Sequence, residues 1–148
     1  MLEITSKVRT PIPRIPLKDI ANELLGPQAE VSLVFVGPAK AKSLNIAYRR
    51  KTYTPNVLTF PADRKINPIV PKNSGEIFIT PAIAKKNASE WSLTYPQTVG
   101  YLFIHACFHL AGMEHGATME RREFAMMRKF FGVVPHSSVH GSNTRMRH

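Results

Sequence analysis

Apolar positions divide the chain into short segments that alternate between strand and helix periods. Leu17, Ile20 and Leu24 repeat at a helical interval, and Gly26-Pro27 supplies a stop signal. The β-branched residues of 30–36 alternate in part and therefore predict a strand. The same patterns predict strands at residues 2–8, 30–36, 57–60 and 76–80, and helices at 17–25, 38–51, 81–91, 96–112 and 118–131.

The helix predicted after Gly37 carries charge and aromatic residues near its end. Pro38 suits the first helical position, and the run from Arg49 to Lys51 places positive charge at the C-terminal end of the helix dipole. Leu44 and Tyr48, together with Ala47, predict the face that turns inward. Between the last two predicted strands, residues 61–74 form a polar loop.

The chain predicts one α/β domain over residues 1–135. Because its strands are joined through helices, at least some of them should pair in parallel. Residues 136–148 contain few core-forming side chains and predict a basic, mobile tail.

The composition favours a polyanionic partner. Twenty Lys and Arg against ten Asp and Glu give a formal charge of +10, and such a surface speeds encounters with nucleic acid. A merely basic soluble protein is the alternative. The chain contains no apolar run of the roughly 18 residues that a membrane span needs, no secretion signal at its start, and one cysteine. We therefore expect a cytoplasmic protein without a membrane partner.

Three histidines in one segment predict a metal site. His105 and His109 are one helical turn apart, so both imidazoles can point to one place. Gly112 can end the helix in a left-handed conformation and turn the chain, which brings back His115 as a third ligand. Three nitrogen donors suit zinc and leave one coordination position open, although nickel, cobalt and copper accept the same donors. A histidine-rich packed helix is the alternative.

The neighbours of these histidines limit the chemistry. A helical metalloprotease has a glutamate directly after its first histidine, and this chain has Ala106 there. Glu114 could orient a ligand or transfer a proton, or it could be a solvated loop carboxylate. Cys107 points to another helix face, and we interpret it as a small buried residue.

Two further segments precede the histidines in order, Leu-Asn-Ile-Ala-Tyr-Arg at residues 44–49 and Val-Leu-Thr-Phe-Pro at residues 57–61. Together with residues 105–115 they resemble the YbeY-type endoribonucleases. The corresponding family motifs are Leu-Asn-x-x-Tyr-Arg, Val-Leu-Ser-Phe-Pro and His-Gly-x-x-His-Leu-x-Gly-x-Asp-His. A Gly-Asp-Ile strand entry corresponds to residues 75–77. The chain departs from the family at Ala106 for glycine, at Glu76 and Glu114 for aspartate, and at Thr59 for serine.

This resemblance implies a mixed sheet of about four strands with about five helices. It also implies a metal-dependent endoribonuclease that acts in ribosomal RNA maturation, with Arg49 in the cleft. We expect zinc as the metal because of the three imidazoles, and a single-stranded substrate because a duplex is harder to thread into a cleft. A guanidinium can hold two phosphoryl oxygens at once, so Arg49 is one candidate catalytic residue. Glu114, which could transfer a proton, is the other. Basic side chains that could follow the RNA strand are Lys40, Lys42, Arg64 and Lys72.

Two other functions remain open at this point. The chain could be a ribosome-associated factor that binds RNA or ribosomal proteins around a structural metal, for which Glu114, His136 or His140 would supply a fourth ligand. A metallopeptidase is the other alternative, and Ala106 argues against it.

Overall fold

A four-stranded sheet and five helices form the fold. The computed structural model describes residues 1–136. The strands are β1 (Leu2–Ser6), β2 (Val31–Phe35), β3 (Val57–Pro61) and β4 (Gly75–Ile79). The helices are α1 (Leu17–Leu25), α2 (Pro38–Arg49), α3 (Pro81–Trp91), α4 (Tyr95–Leu110) and α5 (Ala117–Phe131). Each predicted strand and helix is present, with ends that differ by a few residues.

The sheet is mixed, with the order β1-β2-β4-β3. β1 pairs with β2 and β2 pairs with β4 in parallel, whereas β3 lies antiparallel to β4 at one edge. A parallel pair requires a crossover connection, and α1 supplies the connection between β1 and β2. The predicted α/β class, the mixed sheet and the single domain are therefore confirmed.

The helix α4 runs through the centre of the protein. Its start is fixed by a capping box, in which the Thr94 side chain accepts from the Gln97 backbone and the Gln97 side chain accepts from the Thr94 backbone. It packs against α1, α3, α5, β3 and β4. Residues from Thr98 to Cys107 are buried without interruption, as expected for a helix that has neighbours on every side. The residues that α4 carries are consequently held in fixed positions.

The end of α4 lies against the start of β4. Gly75 permits this approach, because a Cβ atom there would lie 2.5 Å from the Phe60 carbonyl oxygen and 2.6 Å from Leu110 Cδ2. Any larger residue there would force the β3 backbone and the Leu110 side chain to shift. The histidine segment is therefore fixed against the part of the sheet that β3 and β4 form.

The inward face predicted for α2 is wrong. The buried residues of this helix are Ala41 and Asn45, whereas Tyr48 is 70% exposed. Burial of Asn45 is possible because its amide donates to the Tyr53 carbonyl oxygen at 2.9 Å, and a buried polar group is tolerated when it is hydrogen-bonded. Hydrophobic spacing could not reveal an inward face built on an asparagine.

The predicted tail lies almost entirely outside the described residues. Only His136 of residues 136–148 is described, and its backbone N–H donates to the Trp91 carbonyl oxygen at 3.0 Å. Across residues 1–136, none of the helices has the length and apolar character that crossing a membrane requires.

Candidate metal centre

The structure brings the three predicted histidines together through the same ring atom. The Nε2 atom of His109 lies 3.1 Å from that of His105 and 3.0 Å from that of His115. The third side of this triangle, from His115 to His105, measures 3.3 Å. The three Nε2 atoms therefore face one common point.

A turn after α4 produces this arrangement. His105 and His109 lie one turn apart near the end of α4, and Gly112 takes a φ of 90° just beyond it. The left-handed conformation is easy for glycine, and it lets the Met113 N–H reach back to the Phe108 carbonyl oxygen at 3.0 Å. The chain reverses and carries His115 to the pair, as the sequence predicted.

A buried carboxylate on α5 orients His105. The Nδ1 atom of His105 lies 2.5 Å from Glu123 Oε2, and each side chain is 1% exposed. An Nδ1–H that donates to this carboxylate leaves the lone pair of Nε2 free for a metal. The hydroxyl of Tyr101 donates to the other carboxylate oxygen at 3.3 Å. Burial raises the pKa of Tyr101, and the negative charge of Glu123 raises it further, so the hydroxyl stays a donor.

The backbone orients His109 in the same way. Its Nδ1–H donates to the Met113 carbonyl oxygen at 3.0 Å, which again turns the Nε2 lone pair toward the common point. The pKa of His109 is lowered, first by burial and then by the neighbouring His115. This shift favours the neutral imidazole, which is the form that binds metal.

The donor set fits a tetrahedral metal. With Zn–N bonds of 2.0–2.1 Å, the nitrogens of a tetrahedral site are separated by about 3.3 Å, close to the separations found here. His105 is buried, His109 is half-buried and His115 is exposed, so the triangle opens toward solvent. Among residues 1–136, no fourth histidine, cysteine or carboxylate joins the group. Three ligands with one open side are typical of catalytic zinc sites.

Arg49 lies at the end of α2, where two polar groups position its guanidinium. Its Nη1 group lies 3.3 Å from the Tyr53 hydroxyl and 3.5 Å from Asn45 Oδ1. The positive charge of Arg49 is among the causes that lower the pKa of His109. The buried Asn45 therefore links the helix end to the guanidinium and to the loop that follows.

None of the other candidate ligands in residues 1–136 belongs to the three-histidine group. Glu114 is exposed and stands outside the three-histidine group, and His136 lies at the end of α3 through its bond to Trp91. His140, the other proposed fourth ligand, falls outside the described residues. Cys107 is fully buried, and burial raises the pKa of its thiol, which agrees with a packing role.

Glu123, the residue that orients His105, was not predicted from the sequence. Its signal was present, because Met119, Glu123 and Met127 follow one another at four-residue intervals on the buried stripe of α5. A carboxylate in the middle of an apolar stripe requires a buried partner. The partner itself, His105, could not be identified without the packing of α5 on α4.

Comparisons with known proteins decide the family. A sequence model described as Endoribonuclease YbeY matches residues 5–131. An Endoribonuclease YbeY from Alkaliphilus metalliredigens is 33% identical over 136 residues, which cover 90% of this chain and 86% of that protein. The chain belongs to the YbeY family of endoribonucleases. The predicted family is confirmed, and with it the enzyme class, a hydrolase that acts on RNA.

Other YbeY proteins match over shorter stretches. The Endoribonuclease YbeY of Polynucleobacter asymbioticus is 32% identical and covers 72% of this chain and 69% of its own length. The match to the Bdellovibrio bacteriovorus protein of the same name is 34% identical but spans 58% of this chain and 53% of that protein. A solution structure from Thermotoga maritima has a TM-score of 0.61 at 23% identity, covering 89% of this chain and 90% of that one. That structure supports the arrangement of strands and helices described above.

Proposed function

We propose that this chain is a zinc-dependent endoribonuclease of ribosomal RNA maturation, with His105, His109 and His115 as the metal ligands. The observation that carries the proposal is the triangle of Nε2 atoms, 3.0–3.3 Å apart and open to solvent on the side of His115. Membership of the YbeY family supports RNA as the substrate. A divalent metal held by these three histidines would supply Lewis-acid chemistry and would lower the pKa of bound water.

The chain's own residues keep the ligand nitrogens ready for the metal. His105 is held by Glu123 and His109 by the Met113 carbonyl oxygen, so two imidazoles are oriented before a metal arrives. Such preorganisation reduces the entropy that must be lost on binding. Zinc is our choice among divalent metals because the donors are all imidazole nitrogens and the separations suit a tetrahedral site.

Arg49 and Glu114 are the proposed catalytic residues. The guanidinium of Arg49 is positioned by Asn45 and Tyr53, and it can donate to two phosphoryl oxygens as negative charge develops on them. Glu114 directly precedes His115 and is exposed, so its carboxylate can accept a proton at the mouth of the site.

The substrate we propose is single-stranded ribosomal RNA. A single strand can enter a cleft that would exclude a duplex, and a formal charge of +10 attracts it. Basic side chains that are exposed and could follow the strand are Lys40, Lys42, Arg64 and Lys72. Ribosomal proteins as further partners and a cytoplasmic location remain predictions from the sequence.

Restoration of the metal tests this function. Protein freed of metal and then given zinc should cleave a single-stranded RNA oligomer. His109→Ala should lose both the metal and the cleavage, since two nitrogens hold zinc poorly. Arg49→Ala should keep the metal but cleave roughly 10²- to 10³-fold more slowly, the usual cost of one donor to a developing charge.

The outcomes separate the alternatives. Equal cleavage by wild type and His109→Ala would indicate a contaminating nuclease and would refute the proposal. RNA binding without cleavage in zinc-loaded wild type would support a ribosome-associated factor with a structural metal. Hydrolysis of an unfolded protein substrate would support a peptidase, against which Ala106 argues.

A further inference from the structure

Tyr48 is an aromatic residue that the core and the metal centre leave unexplained. It lies on α2 directly before Arg49, and 70% of its surface is exposed. The buried side of the same helix is formed by Ala41 and Asn45, so Tyr48 does not anchor the helix to the core. One exposed aromatic residue is ordinary in itself. Tyr48 is distinguished by its contacts with other aromatic rings and by its position on α2 directly before Arg49.

Two further rings hold Tyr48 from one side. Its ring centroid lies 5.5 Å from that of Phe60, at an interplanar angle of 68°. Phe60 is in turn 5.8 Å from Phe78, at 77°. These edge-on contacts join a surface ring to residues of β3 and β4. The ring of Tyr48 is therefore supported while most of its area stays accessible.

The ring lies beside the charges that attract RNA. The next residues along the chain are Arg49, Arg50 and Lys51. The carbonyl oxygen of Phe60 and the side chain of Leu110, the residue after His109, both lie within 2.6 Å of the position that a Cβ atom on Gly75 would take. On the other side of the contact, Phe60 belongs to β3, against which α4 packs. Tyr48 thus lies between three basic residues and the strand that packs against the histidine helix.

We propose that Tyr48 forms a base-stacking subsite for the RNA substrate. The base of a nucleotide next to the cleaved phosphodiester stacks on the tyrosine ring while Arg49 binds a phosphate. This inference rests on the proposed function. Every base has a π face, so stacking positions a strand with little regard to sequence. A supported ring also loses little conformational freedom when a base binds. The subsite fixes the strand relative to the metal and does not read its sequence.

Matched variants of full-length, zinc-loaded protein test the subsite. Tyr48→Ala should bind a mixed-sequence single-stranded RNA oligomer about 5- to 150-fold more weakly, the range for loss of one stacked base. Tyr48→Phe should behave as wild type because it keeps the ring. Ile46→Ala is the control, since Ile46 is 46% exposed on the same helix and residues two apart on a helix face different sides.

Abasic oligomers locate the stacked base. A set of oligomers that each lack one base near the cleavage site should include one on which wild type and Tyr48→Ala bind equally. Equal binding of the intact oligomer by wild type and Tyr48→Ala would overturn the subsite, as would equal losses in Tyr48→Phe and Tyr48→Ala. A Tyr48→Ala defect that persists on every abasic oligomer would also overturn it.

The same experiment separates this inference from the function on which it rests. Failure of zinc-loaded wild type to bind or cleave the oligomer would reject the proposed function itself. Normal cleavage by wild type with no change in Tyr48→Ala would reject only the subsite. Because Tyr48 is largely exposed, its replacement should leave the thermal unfolding midpoint close to that of wild type, which the same preparations can confirm.

Discussion

At the scale of single residues, a buried carboxylate decides how His105 presents its nitrogen. Glu123 and His105 are each 1% exposed, so neither can exchange its partner for water. The Tyr101 hydroxyl donates to the second carboxylate oxygen. Both oxygens of Glu123 therefore have a hydrogen-bond partner, and the carboxylate avoids the cost of a buried unpaired polar atom. Glu123 is thus a positioning residue that acts on the metal through His105.

Replacement of Glu123 by glutamine should lower the affinity for the metal while the fold is retained. Glu123→Gln keeps the shape but removes the charge, and the loss of such an outer partner typically lowers metal affinity about 10- to 100-fold. Competition with a chromogenic chelator measures this affinity independently of cleavage. Glu90→Gln, an exposed change on α3, is the control. Unaltered zinc affinity in Glu123→Gln would show that the contact has no positioning role.

At the scale of secondary-structure elements, the site depends on where α4 ends. The last turn of α4 contacts the start of β4 at Gly75, and the chain reverses beyond it at Gly112. The two glycines act differently, one through close approach and the other through a left-handed backbone conformation. Together they hold the histidine segment against the sheet.

Gly75→Ala should destabilise the packing where β3, β4 and the end of α4 meet. Its Cβ would lie within 2.6 Å of both a backbone oxygen of Phe60 and a side-chain carbon of Leu110. Overpacking of this kind costs about 1–3 kcal/mol in the free energy of unfolding, measurable by urea denaturation. In Gly37→Ala the new atom meets only Val8 Cγ1, at 3.9 Å, so this control lacks the crowding. Equal stability of Gly75→Ala and wild type would contradict the close approach.

The elements show how far the sequence could predict the structure. The segments and the turn at Gly112 followed from local spacing and from the conformational freedom of glycine, both of which act over a few residues. The strand order β1-β2-β4-β3 and the Glu123–His105 contact join distant parts of the chain, for which no local pattern exists. The inward face of α2 was predicted wrongly because Asn45, a polar residue, is buried there through its bond to Tyr53.

At the scale of the whole molecule, the excess of basic residues sets how RNA binding responds to salt. The chain has a charge of +10. The logarithm of its association constant for a single strand should therefore fall linearly with the logarithm of the salt concentration, at a slope of about −0.7 per phosphate contacted. Lys40→Gln should reduce that slope by about 0.7. The ammonium of Lys129 already pairs with Glu23, so Lys129→Gln should leave the slope unchanged. An affinity independent of salt would exclude phosphate contacts as the source of binding.

The central claim is that one metal ion on three imidazoles is required for RNA cleavage. Stepwise addition of zinc to metal-free protein, with the cleavage rate of a single-stranded RNA oligomer followed at each step, tests it most directly. We expect the rate to rise linearly and to level off at about one zinc per chain, since the described donors form a single three-nitrogen site. Full cleavage by the metal-free protein, or a rate that zinc never restores, would contradict the claim.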